Sequence, residues 1–195
     1  NVPDDAVERQ IAAEVVARGP ENWEWVQGLA RALERRFPIF GVVGLAFVRQ
    51  VDAYLTRRHI GDAIDDIVRP ALVGERTVVV AHSLGTIISY WLLRKTDVAD
   101  VPLFVTLGSP LGIGVVRQRV QPPRPLGKPE GVARWLNATD DRDPVALYAR
   151  LDKKCFADGI DNLADVRNSR ADPHSIVEYL SDRRVAKSIF QAVTG

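Results

Sequence analysis

The sequence predicts an α/β fold: a mostly parallel β-sheet flanked by helices and preceded by a helical segment. Three observations carry this reading. The short apolar runs 77–81 (TVVVA) and 102–107 (PLFVTL) do not alternate, so both faces of each are expected to be buried, as in central parallel strands. The stretch between them, 84–94, has helical character. A third run, 132–138 (VARWLNA), continues the alternation of strand and helix, which implies a parallel sheet covered on both sides.

Residues 1 to about 74 read as helices. Asp4 or Asp5 caps a first one, with Val7, Ile11, Val15 and Val16 on one face, and Gly19-Pro20 ends it. A second spans about 21–36, broken by Phe37-Pro38. A third stretch, about 42–68, carries Val51, Tyr54, Leu55, Ile60, Ile64 and Ile67; Gly61 is a candidate divider and Pro70 its end. The Pro- and Arg-rich stretch 117–129 reads as loop. Asp143-Pro144 is expected to open a helix near Val145. The polar segment 158–172 reads as loop, and one terminal helix is expected from His174 or Ser175 to about Val193.

With 195 residues, the chain suits a single domain with a sizeable core. It divides into a helical cap and lead-in helix (1–74) and a strand–helix core (75–195). A formal net charge of +1, with the charges interspersed, gives no field to gather nucleic acid. The single cysteine, Cys155, excludes an internal disulfide and any multi-cysteine metal site. No apolar run reaches a membrane-spanning length and no signal peptide opens the chain, so the expected location is cytoplasmic, with secretion as the alternative.

The chemistry is concentrated in Ala81-His82-Ser83-Leu84-Gly85. This segment follows a buried strand and opens a helix, the context in which a tight, strained turn lifts a serine hydroxyl above a sheet edge. Small residues are expected two before and two after the serine, where neighbouring backbone crowds; Ala81 and Gly85 meet that need. The helix N-terminus favours developing negative charge, with the Leu84 N–H as one oxyanion donor. A serine needs a base and an orienting acid, which follow in the order acid then histidine. His174 is the candidate base. Asp140, Asp141 and Asp143 compete as the acid, with Asp143 preferred. His82 is expected to point away from the nucleophile as a packed or hydrogen-bonded neighbour. Asp172 is expected to position its loop or cap the last helix.

Together, VVVAHSLGTIISYWLL, VTLGSPLG, WLNATDDRDPVA and DPHSIVEYL resemble the lipase- and esterase-like branch of the α/β-hydrolase superfamily over about 75–180. Ala81 stands where the first glycine of the elbow is commoner. DPVA resembles the turn that begins with the catalytic acid, which favours Asp143. LGSP resembles the pattern whose loop borders the active site, which makes Ser109 a candidate substrate contact. The resemblance implies hydrolysis of a small-molecule or lipid ester without a cofactor. A thioesterase, amidase or acyltransferase would share the triad, and a non-catalytic binding or regulatory subunit is a further alternative. Family members have earlier strands and an early loop, often His-Gly, that gives a second oxyanion donor; residues 1–75 contain neither. The resemblance is therefore to the C-terminal part of a longer hydrolase, with a companion N-terminal fragment or chain expected to complete the sheet. The apolar segment 37–47, with Phe40 and Phe47, is a candidate cover over an acyl site and equally a candidate for core packing.

Overall fold

A computed structural model describes residues 41–95, 100–121 and 125–195, with side chains from Phe47 onward. The helices expected within 4–36, and Phe40, lie outside the described residues. Helices α1 (Gly41–Thr56) and α2 (Arg58–Val68) lead through a 3-10 turn, Arg69–Leu72, to β1 (Val79–His82). There follow α3 (Leu84–Lys95), β2 (Val101–Leu107), α4 (Gly114–Val120), β3 (Val132–Asp140), β4 (Asp161–Val166), α5 (Ile176–Ser181) and α6 (Arg183–Thr194). The sheet is four-stranded, in the order β1-β2-β3-β4, and every pairing is parallel. Among the described residues no helix is long and apolar enough to cross a membrane.

The sheet separates two apolar clusters. Leu103, Val105 and Leu107 recur at the strand period of two and pack with Leu136, Ala138, Val166, Tyr179 and Val185. Phe104 and Trp135 face the larger cluster, which takes in Ile87, Tyr90 and Leu92 of α3 and Val48, Val51 and Tyr54 of α1. Tyr90, Phe104, Trp135 and Phe156 meet there with neighbouring ring centroids 5.0 to 5.7 Å apart, within the range of favourable tilted and edge contacts. A buried polar row crosses the sheet: Trp135 Nε1–H donates to Thr106 Oγ1, Thr106 to Asn137 Oδ1, and Asn137 Nδ2 to Asn162 Oδ1. Each member finds a partner, so the row holds β2, β3 and β4 in one register without an orphaned dipole.

Several elements differ from the sequence reading. The helical stretch breaks at Arg57, which adopts an extended conformation, rather than at Gly61. Strand β1 is an edge of the described sheet, and Val80 is 38% exposed, so this run is not buried on both faces. Helix α4 occupies the first part of the expected loop, because Val116 and Val120, four apart, bury one face despite the intervening arginines. No helix follows Asp143-Pro144: the Asp143 carboxylate accepts from the Val145 and Ala146 N–H groups as a helix cap would, but the chain goes on as a turn. Strand β4 lies inside the expected polar loop; as the other edge of the described sheet it keeps polar side chains while its backbone pairs with β3. The terminal helix is two helices, because Asp182 turns extended and accepts from Arg184 N–H as the cap of α6.

Candidate active site

Parallel strands all end at the same side of a sheet, so the loops that follow them gather there. Here those loops carry Ser83 after β1, Gly108 after β2, Asp143 after β3 and His174 after β4. Register ties the first three together. His82 pairs with Leu107 and Leu107 with Ala138, the Ser83 N–H donates to Leu107 O at 3.1 Å, and the Gly108 N–H donates to Ala138 O at 3.1 Å.

Ser83 has φ +54°, the only positive φ outside glycine among the described residues. Such a conformation is costly for an L side chain and persists only where its surroundings impose it. Thr86 supplies much of that constraint. Its Oγ1 donates to Ser83 O at 2.7 Å, and the Thr86 N–H donates to the same carbonyl at 3.0 Å. With its one hydroxyl proton committed there, Thr86 Oγ1 accepts from Ser109 Oγ at 2.9 Å, which in turn accepts from Leu111 N–H. A directed chain of donors therefore runs from the loop after β2 into the elbow. Ser109 is 3% exposed with its hydroxyl committed to this chain. Phe47 is buried in the larger core cluster. The crowding expected at Gly85 is not found, since a Cβ there would meet nothing within 4 Å of the described residues. Leu84 opens α3, so its N–H has no acceptor within the helix and is free to serve a ligand oxyanion.

His174 and Asp143 form a pair. His174 Nδ1 lies 2.8 Å from Asp143 Oδ2 and 2.9 Å from Oδ1, and the carboxylate is fully buried. A carboxylate accepts, so a proton lies on Nδ1, and in the neutral ring that leaves the lone pair on Nε2, the tautomer a general base requires. Asp143 also accepts from Val145 N–H at 2.8 Å, Ala146 N–H at 3.3 Å and Tyr179 O–H at 2.7 Å. Ser83 Oγ makes no hydrogen bond to the described residues.

The competing acids have other partners. Asp140 is fully buried and accepts from Arg142 Nε at 3.0 Å, Nη2 at 2.7 Å and N–H at 2.7 Å, and from Asn168 N–H at 2.7 Å. Burial pushes its carboxyl up, but these donors outweigh it and hold the group below the usual carboxylate range. Asp141 pairs with Arg167 at the surface. Asn168, tied to Asp140, donates its side-chain amide to Pro173 O at 2.8 Å and Ser175 O at 3.4 Å, the carbonyls on either side of His174. Asp140 thus braces the base loop from behind. Ser175 caps α5, while Asp172 offers its carbonyl to Ser175 N–H.

No family model, curated protein or solved structure matches this chain. Its functional reading therefore rests on the residues themselves. Among the described residues no group of three or more His, Cys, Asp or Glu is placed to hold a metal ion.

One contributor was not evident as a site residue in the sequence. Gly108 has φ +54°, and a Cβ built on it would lie 2.6 Å from Asp143 Oδ2 and 3.0 Å from the His174 ring. Both the backbone and the space demand glycine. Gly108→Ala is expected to lower stability by about 1–3 kcal/mol and, by displacing the pair, to lower turnover about 10²-fold. Thermal unfolding read beside kcat checks this; an unchanged kcat would mean that the pair need not sit where it does.

His82 is the packed and hydrogen-bonded neighbour that the sequence reading expects, and the structure adds its partner. Its Nε2–H donates to the His174 carbonyl at 2.9 Å, and the two rings lie 4.3 Å apart. Burial, then the nearby His174, holds the His82 imidazole below its usual value. The unfolded chain therefore binds a proton that folded His82 refuses. This contribution to stability is complete well above about pH 6.5 and is lost as pH falls through that value. His82→Gln keeps a donor but cannot titrate. Denaturant midpoints at pH 7.5, 6.5 and 5.5 are expected to fall less steeply in the variant than in the parent; equal slopes would show that His82 is not the group responsible.

Proposed function

We propose that this protein is a serine hydrolase that cleaves a carboxylic ester through Ser83, His174 and Asp143 by way of an acyl-enzyme. The single observation that carries the reading is Ser83 in a strained turn between a parallel strand and a helix, at the end of the sheet where the loops also carry His174 and the buried Asp143 paired to it. The motif resemblance to lipase- and esterase-like α/β-hydrolases supports it.

In this mechanism His174 Nε2 takes the Ser83 proton as Oγ attacks the ester carbonyl carbon. The carbonyl oxygen becomes an oxyanion, with the Leu84 N–H as one donor. Collapse breaks the bond to the alcohol oxygen, which leaves with the proton from Nε2. Water then attacks the acyl-enzyme, gives its proton to Nε2, and releases the acid as Ser83 recovers its proton. Asp143 fixes the Nδ1–H tautomer and offsets the charge His174 gains in each half.

The experiment is a stopped-flow assay with a chromogenic acetate ester. Release of the phenol is expected to show a burst approaching one equivalent per chain, with an acetyl adduct on Ser83 by peptide mass. Release without a burst and without an adduct under any quench would count against an acyl-enzyme on this serine. Running an acyl thioester and an anilide beside the ester assigns the leaving-group class.

A further inference from the structure

We propose that Tyr179 is a positioning residue for the reaction assigned above: its phenol O–H locks the second oxygen of Asp143 and so sets the direction from which that carboxylate meets His174.

The inference rests on the serine hydrolase reading for its kinetic consequence and on geometry for its structural one. The two Asp143 oxygens are held differently. The Val145 and Ala146 N–H groups both reach Oδ1, from the turn that follows Asp143 itself. Apart from His174, Oδ2 has one partner, Tyr179 O–H at 2.7 Å. With only Oδ1 restrained, a carboxylate remains able to swing about that oxygen; a donor on each oxygen fixes its plane.

The phenol is itself aimed. The Asp140 N–H donates to Tyr179 Oη at 2.9 Å, so the phenol proton is directed at Asp143. Tyr179 is fully buried beneath the loop, and its ring packs in the smaller core cluster. Burial, then the charge of Asp143, pushes its phenol far above the usual value, so it stays a donor at any working pH. The base and this donor also share one short stretch. His174 precedes α5 by two residues and Tyr179 lies within α5, whose Ser175 cap fixes the helix start. A displacement of α5 therefore moves both partners of the carboxylate together.

The direction of the effect follows from charge. A donor on Oδ2 withdraws electron density from the carboxylate and weakens its hold on the His174 Nδ1 proton; removing it strengthens that hold or frees the carboxylate to turn. The test is the far-downfield proton resonance of His174 Nδ1–H, read together with the rate of serine phosphonylation. In Tyr179→Phe the resonance is expected to move further downfield or to broaden away, and phosphonylation to slow about tenfold because the carboxylate no longer holds the imidazole in a fixed direction. In an Asp143→Asn background the added Tyr179→Phe change is expected to alter that rate less than twofold, because the tyrosine acts through the carboxylate. Should Tyr179→Phe fail to fold, 3-fluorotyrosine at position 179 keeps the shape and both hydrogen bonds with a stronger donor, and the resonance is expected to move the opposite way, upfield. An unmoved resonance in either variant would overturn the inference. That readout needs no turnover, so it separates this outcome from failure of the hydrolase reading, which would appear as a parent protein that is not phosphonylated at all.

Discussion

Ser83→Ala is expected to lower ester turnover about a millionfold, close to the loss seen when an intact nucleophile–base–acid unit is broken. KM should change little, because the hydroxyl contributes to bond making rather than to holding the ester. Stability should also change little. Ser83 Oγ makes no hydrogen bond to the described residues, and alanine bears the same strain at φ +54° as serine does. The measurement is kcat at saturating ester with thermal unfolding beside it. Turnover within tenfold of the parent would remove Ser83 from the chemistry. A large fall in Tm would show instead that the hydroxyl is part of the elbow's scaffold.

Asp143→Asn carries the second largest effect, about 10⁴-fold in kcat. Asparagine has nearly the shape of aspartate, and its oxygen can still accept from Val145 and Ala146 N–H. Its amide then occupies the Oδ2 position, facing His174 Nδ1 and the Tyr179 hydroxyl. An N–H group there cannot accept the Nδ1 proton, so it favours the tautomer in which His174 Nε2 carries the proton and cannot act as a base. Asp140→Asn is the informative contrast. Asp140 touches Arg142 and Asn168 rather than His174, so its replacement should reduce stability more than it reduces the rate of properly folded protein. If the two variants reversed these behaviours, the acid would have been assigned to the wrong carboxylate.

The elbow was legible in the sequence because everything that defines it is local. A β-branched run, a serine with small residues two before and two after it, and a helical pattern lie within about twenty positions. Strand β2 was legible as a central parallel strand for the same reason, since it is apolar on both faces, whereas β1, read the same way, is an edge of the described sheet. What failed to show was set by distant partners. Strand β4 is polar because it is an edge, and its strand state comes from pairing with β3 rather than from its own residues. The turn at Asp143-Pro144 reads as a helix start, but the carboxylate that would cap a helix is shared with His174, 31 residues away. Three nearby aspartates competed on paper. Arg142, which binds Asp140, and Arg167, which binds Asp141, separate them only in three dimensions. Tyr179 reaches Asp143 across 36 residues, and nothing in a tyrosine on an amphipathic helix distinguishes that role from core packing. Gly108 gave a signal, a glycine closing a buried strand, but its reason lies in the Asp143 and His174 atoms that would meet a Cβ.

The most direct test of the central claim is covalent labelling with a fluorophosphonate, read by intact mass on the parent chain and on Ser83→Ala. An activated serine predicts one phosphonyl adduct per parent chain, located at Ser83, and none on the folded variant. Equal labelling of both, or none on a folded parent, would contradict the assignment of Ser83 as the nucleophile of a working site.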